Sequence, residues 1–409
     1  MRLAVLIAAL LGLGSQGLSQ GSPFAFATPS DPATIPGRPD RIPAESSSAG
    51  VRRSGQVVVY VSHDQEHSEQ ILLQFEKATG IRVLAHFDTE DTKTVGLVSK
   101  ILTERQAPVA DVFWNNECGQ SERLKAAGVL RPYHSPSAAT IPPAFKETDG
   151  YWTGFAARAR VLMWNTEVVS EADEIPAKLE DLAHPRFRSK VAMARPRTGT
   201  TLTHLGALYA RFGQAWASAW LFAMLENDVR WESGNGQVAR SVADGAIAFG
   251  LTDTDDYYGR LLEGAPVRYR FLDQEEEQMG TLVIPNSVML LQSKKNEREA
   301  ERLVDYLLSP EVEKELSLGR AAQMPLHPGV PVPDHVVPVS KIHVFAVNFS
   351  DVGRMIERHQ GEMEEMFSRV QGGKLQKASR GFGSLILAFG ILAVLGIAMF
   401  VFLPKRART

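Results

Sequence analysis

The sequence has very little cysteine and no excess of basic residues. Cys118 is the single cysteine among 409 residues, so an intramolecular disulfide is excluded. No cysteine comes directly after the apolar amino-terminal run, which argues against a lipoprotein held by an acylated amino-terminal cysteine. The formal net charge is −3, and this balance gives no electrostatic footprint for nucleic acid. With 44% hydrophobic residues, the composition suits a soluble globular body.

The amino-terminal end has the pattern of an export signal. A basic residue precedes an apolar run from Leu3 to Leu13, which is too short to span a bilayer and has the length of a signal h-region. Ala25-Phe26-Ala27 offers an A-x-A cleavage site, and Gly17-Leu18-Ser19 is an alternative site. We therefore predict a signal peptide at 1–27, with a short buried helix as the alternative interpretation.

The carboxyl-terminal end predicts a membrane anchor. Phe382 to Leu403 holds 22 residues without a charge. At about 1.5 Å per residue, a helix of this length reaches roughly 33 Å, enough to cross a bilayer. We predict a transmembrane helix at 381–403 and a cytoplasmic tail at 404–409; a buried core helix is the alternative. Basic residues flank both sides equally, so the predicted signal peptide sets the orientation: an exported, periplasmic body on a single-pass carboxyl-terminal anchor.

The first part of the body predicts a strand, a helix and a second strand. Val57–Val61 is a β-branched and aromatic run typical of a buried strand. Ser62 then stands at an N-cap position with Gln65 three residues on, and Gly80 stands just past the predicted helix as a C′ residue. The polar residues thus follow the carboxyl end of the first strand, which is the edge where open α/β sheets bind ligands.

The rest of the body alternates strand-like and helical runs. A proline-rich and serine-rich leader at 28–55 precedes it, and 56–345 is long enough for two lobes. The predicted strands are 110–114, 160–164, 246–250 and 281–284, and the predicted helices include 205–226 and 297–308. This alternation predicts an α/β fold with mostly parallel sheets. The amphipathic stretch 350–370 predicts a helix docked on the body, within a helix-and-stalk region at 346–380; a dimerising coiled coil is the alternative.

Four polar clusters follow predicted strands. They are Ser62-His63-Asp64, Asp88-Thr89-Glu90, Asn115-Asn116-Glu117 and Thr252-Asp253-Thr254-Asp255-Asp256. Carboxylate, imidazole and carbonyl groups suit hard or borderline cations, and the absence of thiolates argues against a soft-metal site. Each cluster alone is also compatible with ordinary helix capping. Because all four clusters follow predicted strands, we expect them to meet at one edge of the sheet and to form a binding site.

The segment Arg197-Thr198-Gly199-Thr200-Thr201 precedes a predicted helix and has the composition of an anion cradle. Free backbone N–H groups, hydroxyls and the helix dipole favour an anion at such a turn. The alternative interpretation is an ordinary threonine N-cap.

A second class of function is indicated by His63, Glu66 and His67, which match the H-x-x-E-H pattern of inverted zinc proteases. Two histidines four residues apart on one helix can bind zinc, with the glutamate as general base. The motif stands in the first turn after a strand, and Glu147 is the only distant third ligand that we could suggest, so this hypothesis is the weaker one.

Four ordered motifs carry a resemblance to a known family. They are the strand with Tyr60, FEKATGIRV at 75–83, ADVFWNNE at 110–117 and YWTGFAARARVLMWNTE at 151–167. Together they resemble the periplasmic ferric-iron-binding group of ABC-importer substrate-binding proteins, over about Val57 to Leu326. The resemblance implies a two-lobed periplasmic-binding-protein fold of type II with crossover hinge strands, here at 160–165 and 281–285. It places lobe one at about 56–155 plus 281–325, and lobe two at about 156–280.

The resemblance also implies the binding residues. It assigns the anion to the segment Thr198–Thr200 and to Asn235. Arg158 and Arg160 lie near the predicted crossover, where they could help neutralise that anion. Adjacent tyrosines bind iron in that family, but here the aligned positions fall nearest Thr254-Asp255, and Tyr257-Tyr258 come about three residues late. Either a loop shift brings the tyrosines in or aspartates replace them. The expected metal ligands are His63, Asp64, Glu117, Asp255, Asp256, Tyr257 and Tyr258; the expected ligand- or anion-binding residues are Ser62, Arg158, Arg160, Thr198, Gly199, Thr200, Asn235 and Asp253.

The expected function is therefore that of a membrane-anchored substrate-binding component of an ABC importer. It performs no chemistry and hands ferric iron, held with phosphate or carbonate, to a permease driven by its ATPase. The open alternatives are the same role for another metal, a phosphonate or an organic cation, and a tethered sensor built on the same clamp.

Overall fold

The structure is a computed structural model that describes residues 55–88, 95–170 and 175–369. The predicted signal peptide, leader, transmembrane helix and tail lie outside these residues, apart from Gly55 at the end of the leader. No helix within the described ranges is both long and apolar enough to cross a membrane.

The predicted strand–helix–strand unit is present at the start of the body. Strand β1 (Gln56–Val61) and strand β2 (Arg82–Phe87) are parallel neighbours, joined by helix α1 (Gln65–Thr79). The helix ends at Gly80, whose φ of 71° is the left-handed conformation that glycine adopts without a Cβ penalty. The predicted N-cap at Ser62 is wrong, because the N-cap position of α1 is Asp64 and the Ser62 hydroxyl donates a 2.7 Å hydrogen bond to Asn115 Oδ1.

Within the described residues, eight more strands and eight more α-helices follow. The strands are β3 (Val112–Asn115), β4 (Leu130–Arg131), β5 (Thr153–Asn165), β6 (Val191–Ala194), β7 (Arg230–Glu232), β8 (Phe249–Asp253), β9 (Val267–Arg270) and β10 (Val283–Leu291). The helices are α2 (Val95–Thr103), α3 (Gly119–Ala126), α4 (Gly199–Glu226), α5 (Asn235–Ala243), α6 (Thr254–Leu262), α7 (Glu297–Leu307), α8 (Pro310–Leu318) and α9 (349–369).

The strand order divides the sheet into two lobes. The order is β2-β1-β3-β10-β5-β8-β6-β7, with β4 on β10 and β9 on β5. We call the part with β1 to β4 and β10 lobe one, and the part with β6 to β9 lobe two. Strand β5 is 13 residues long and belongs to both lobes, since its first half pairs with β10 and its last residues pair with β8 and β9. The exact lobe boundaries expected from the sequence stay a prediction.

Two predicted elements differ from the structure for local reasons. The strand expected at 246–250 begins only at Phe249, because the turn after α5 passes through Gly245 with φ 69°. The helix expected at 205–226 begins earlier, at Gly199, and a non-helical Gly213 with φ 78° and ψ 168° divides it.

Helix α9 packs on the body, in the position expected for the docked amphipathic helix. Its apolar residues Val352, Ile356 and Met363 are buried. Near its middle, the His359 ring stacks on Tyr209 of α4 with 4.6 Å between ring centroids. The apolar face is therefore covered by the chain itself.

Candidate functional site

A cavity of about 660 Å³ lies between the two lobes. Lobe one contributes the residues that follow β1, including His63 and Asp64, and Asn116 after β3. Lobe two contributes the first residues of α4, α5 and α6. The predicted convergence of separate strand ends is therefore present for these segments. Of the expected site residues, the cavity lining includes His63, Asp64, Arg158, Thr198, Gly199, Thr200, Asn235, Asp253, Asp255 and Asp256.

Four helices begin at this cavity: α1, α4, α5 and α6. Their N-cap residues are Asp64, Thr198, Gly234 and Asp253, and none of these four makes a side-chain capping hydrogen bond. The first N–H groups of a helix have no partner within the helix, and the helix dipole adds a positive potential there. The four converging helix N-termini therefore favour negative charge in the cavity, and the aspartates that line it supply such charge.

The carboxylate of Asp253 is bonded through both of its oxygens. Arg160 Nη1 lies 2.6 Å from Asp253 Oδ1, and both residues are buried. The pair follows from strand register, since Arg160 and Asp253 are direct partners across β5 and β8. The other oxygen, Oδ2, accepts hydrogen bonds from Thr200 Oγ1 at 2.5 Å and from Asn235 Nδ2 at 3.1 Å. Thr200 and Asn235 were expected to hold an external anion, and in the structure their side chains hold this aspartate.

A second ion pair joins Arg158, two residues before Arg160, to Asp255, two residues after Asp253. Arg158 Nε lies 2.9 Å from Asp255 Oδ2, and the same guanidinium donates to the carbonyl oxygen of Asn116 and, at 2.8 Å, to Asn286 Oδ1. Burial raises the pKa of Asp255, and the positive charge of Arg158 opposes that rise. Arg158 thus links lobe one, through Asn116, to lobe two, through Asp255.

Three aspartates form a candidate cation site on the lobe-two side. Oxygens of Asp253, Asp255 and Asp256 lie within 4.8 Å of one another. Asp256 accepts a 2.8 Å hydrogen bond from Thr252 Oγ1, which fixes its carboxylate. Carboxylate oxygens at this spacing suit a hard cation.

His63 faces these aspartates from lobe one, but it is held by its own lobe. Its ring stacks on Trp114 with 5.3 Å between centroids, and its Nε2 lies 2.7 Å from the side-chain amide of Gln323. Glu66 Oε1 lies 3.1 Å from His67 Nε2, so the glutamate of the H-x-x-E-H pattern is engaged with its neighbouring histidine. Helix α1 starts at Gln65, so His63 precedes the helix and the two histidines do not share its face.

Glu117 does not reach the cavity, which corrects its expected role as a metal ligand. It is 1% exposed and accepts hydrogen bonds from the Asn115 amide and Thr203 hydroxyl, and from the backbone N–H groups of Gly119 and Gln120 at the start of α3. Burial raises its pKa. Ser62 is likewise buried and bonded to Asn115, outside the lining.

Tyr257 and Tyr258 also lie outside the cavity lining. The Tyr258 hydroxyl donates to the carbonyl oxygen of His335 and lies 3.1 Å from the Tyr269 hydroxyl. Tyr257 packs against both of these tyrosine rings. Burial raises the pKa of both Tyr257 and Tyr258, which opposes the phenolate form that a metal ligand needs. The structure therefore keeps the aspartates at the aligned positions and not the tyrosines.

Two further expectations are only partly met. Asp88 does not line the cavity, and Thr89 and Glu90 lie outside the described residues. Arg160 lies behind the lining, where it is bonded to Asp253.

Several charged lining residues had no role in the sequence analysis. Arg260 on α6 follows Asp256 by four residues, and Glu263, just after the end of α6, follows it by seven. A helical face beginning at Asp256 was the signal that could have identified them. Arg320, which comes after α8, also lines the cavity and lies 3.5 Å from Glu263. No motif marks Arg320 in the sequence.

Known proteins are similar to this chain in sequence and in architecture. Residues 107–343 match the profile of a family described as bacterial extracellular solute-binding protein. The major ferric iron-binding protein of Neisseria meningitidis serogroup B is 25% identical over 320 residues, which cover 76% of this chain and 92% of that protein. The iron uptake protein A2 of Synechocystis is 26% identical over 274 residues, covering 63% of this chain and 77% of that protein. Iron-bound HitA from Pseudomonas aeruginosa matches with a TM-score of 0.67 at 25% identity, covering 78% of this chain and 99% of that chain.

Proposed function

The chain belongs to the family of bacterial extracellular solute-binding proteins, and on this premise we propose that it delivers ferric iron to an ABC importer. It is a binding protein and not an enzyme. Relatives named for ferric iron binding and iron uptake support iron as the cargo. In this proposal the two lobes close over the ion, and a permease with its ATPase receives it when they open.

The observation that carries the proposal is the aspartate cluster in the cavity between the lobes. Asp253, Asp255 and Asp256 bring carboxylate oxygens within 4.8 Å of one another on lobe two. Asp64 lines the same cavity from lobe one, and Asp255 is close enough for the charge of Asp64 to raise its pKa further, after burial. A cation held by both groups would draw the lobes together, since the carboxylates repel one another without it.

The test is iron retention by the wild-type protein and by two variants. Ferric iron supplied as a weak chelate should remain bound after desalting and raise the melting temperature of the wild type. Asp256→Asn should weaken binding by about tenfold or more, the size expected when a charged contact worth about 1.5–3 kcal/mol is lost. Asp149→Asn is the matched control, because Asp149 is an exposed aspartate outside the cavity and should leave binding unchanged. Failure of the wild type to retain iron would reject this cargo.

A second candidate cargo is a small organic ion, and the cavity volume favours it. About 660 Å³ exceeds what an ion needs and falls within the range of about 300–1,000 Å³ typical of small-molecule sites. A phosphonate or an organic cation would be identified in a thermal-shift panel by a larger stabilisation than ferric iron gives.

The membrane anchor stays a prediction of the sequence. The charge-free segment from Phe382 to Leu403 lies outside the described residues. Fractionation of cells expressing the full chain and a chain ended at Gly372 would test it: we expect the first in the membrane fraction and the second in the soluble periplasmic fraction.

A further inference from the structure

Asp253 has the surroundings of a bound oxyanion. A guanidinium nitrogen of Arg160 lies 2.6 Å from one carboxylate oxygen, and the Thr200 hydroxyl and Asn235 amide bond the other at 2.5 and 3.1 Å. Thr200 is the second residue of α4 and Asn235 is the first residue of α5, so the carboxylate lies at two helix N-termini. Helix ends of this kind commonly bind anions.

The donors around Asp253 are held in place by further bonds. Thr201 Oγ1 donates a 3.0 Å hydrogen bond to Asn235 Oδ1, which turns the amide nitrogen towards Asp253. Arg160 also donates through Nη2 to the carbonyl oxygen of Leu251 at 3.2 Å, and the register of β5 and β8 places it opposite Asp253. Asp253 itself is 3% exposed. The carboxylate is therefore part of a fixed framework.

We propose that Asp253 is a built-in counter-anion, so that this site captures its cation without an anion from solution. The carboxylate occupies the donors that an external phosphate or carbonate would need, the Thr200 hydroxyl and the Asn235 amide. An oxygen of Asp253 also lies within 4.8 Å of oxygens of Asp255 and Asp256, so the internal anion is next to the candidate cation position. The claim that a cation is captured here rests on the proposed function. The claim that Asp253 occupies the anion position does not.

The first experiment uses inorganic phosphate alone, without metal, and records thermal unfolding at constant ionic strength. Wild-type protein should show no stabilisation by millimolar phosphate relative to chloride. Asp253→Ala empties the position and leaves Arg160, Thr200 and Asn235 as donors, so it should gain a phosphate-dependent rise in melting temperature of several degrees. Asp149→Ala, an exposed control, should behave as the wild type does.

The second experiment measures ferric iron binding with and without phosphate. The wild-type affinity should change by less than about twofold, well under the tenfold that corresponds to about 1.4 kcal/mol. Asp253→Ala should bind iron weakly and recover when phosphate is added. Asp253→Asn fills the same space without the charge, so it should lose affinity and not recover.

The two experiments separate this inference from the proposed cargo. If iron binds to no form of the protein, the cargo is wrong, and the phosphate titration still decides whether Asp253 occupies an anion position. If Asp253→Ala fails to fold, the inference is tested by the phosphate response of the wild type and by the iron affinity of Asp253→Asn. Phosphate stabilisation of the wild type, or wild-type iron binding that requires phosphate, would overturn the inference.

Discussion

Glu117 Oε2 accepts a 2.6 Å hydrogen bond from Thr203 Oγ1, and this bond joins the two lobes away from the cavity. Glu117 follows β3 of lobe one, and Thr203 lies in α4, which follows β6 of lobe two. Both residues are almost completely buried. A residue expected to bind metal thus contributes to the packing between the lobes.

Replacing Thr203 by valine should destabilise the protein, because it removes a donor from a buried carboxylate at nearly constant volume. A loss of about 1–3 kcal/mol in the free energy of unfolding is expected, to be measured by urea titration. Thr103→Val is the control. Thr103 is exposed on α2, so this substitution should change the free energy of unfolding by no more than about 0.5 kcal/mol. Equal effects of the two substitutions would show that the Glu117–Thr203 bond is not important for stability.

The raised pKa of Glu117 predicts a pH dependence with a definite sign. Burial raises the pKa above its usual 4.5, so the folded state holds the proton more tightly than the unfolded state does. This stabilisation is complete below the unfolded pKa and is lost as the pH rises through the raised folded pKa. Glu117→Gln has no such proton, so the stability of the wild type relative to the variant should fall as the pH rises from below 4.5 towards neutrality. If urea titrations instead show that the wild type gains stability relative to Glu117→Gln as the pH rises, the raised pKa of Glu117 is contradicted.

The sheet edge was predictable from sequence, but the direction of each side chain at that edge was not. The clusters after β1, β3 and β8 were expected to meet, and residues of all three line the cavity. Yet Asn116 faces the cavity while its neighbour Glu117 turns back to α3. That choice depends on the free N–H groups at the start of α3, which the polar pattern alone does not locate.

The helical phase of α6 explains why Tyr257 and Tyr258 lie outside the cavity lining. Helix α6 starts at Thr254. Its cavity-lining residues recur at helical spacing: Asp255, Asp256, Gly259 and Arg260, followed by Glu263 just after its end. The residues between them, Tyr257 and Tyr258, point to the opposite side. If the first residue of α6 is known, helical spacing alone places the aspartates in the cavity and the tyrosines in the core. The Arg160–Asp253 pair, in contrast, depends on the pairing of β5 with β8, which local sequence does not determine.

The position of the tyrosines gives a spectroscopic prediction. Since the Tyr258 hydroxyl is bonded to His335 and Tyr269, protein loaded with ferric iron should lack the purple-red band of an iron–phenolate complex. Tyr257→Phe and Tyr258→Phe should retain as much iron as the wild type. Tyr258→Phe should lower the free energy of unfolding by about 0.5–1.5 kcal/mol for each hydrogen bond lost, the one to His335 and the one to Tyr269. A visible band that disappears in Tyr258→Phe would show that the tyrosine moves to the ion.

Two glycines of α9 give a matched pair for testing how this helix docks. A Cβ at Gly353 would lie 2.3 Å from the Cβ of Glu122 and 3.0 Å from the carbonyl oxygen of Gly119, whereas a Cβ at Gly361 would meet nothing within 4 Å. Alanine is the better helix former by about 1 kcal/mol, so both substitutions gain the same local term. Gly361→Ala should therefore raise the free energy of unfolding by about 0.5–1 kcal/mol.

Gly353→Ala should instead lower the free energy of unfolding, because the new methyl group must push α9 away from α3. Overpacking of this kind costs about 1–3 kcal/mol, which exceeds the gain in helix propensity. Urea titration of both variants measures the difference directly. If α9 is docked against α3 in solution, the two substitutions have opposite signs; if α9 is undocked and helical, both glycines are equally free and both variants are stabilised alike. The sign at Gly353 therefore decides whether α9 is a docked part of the body.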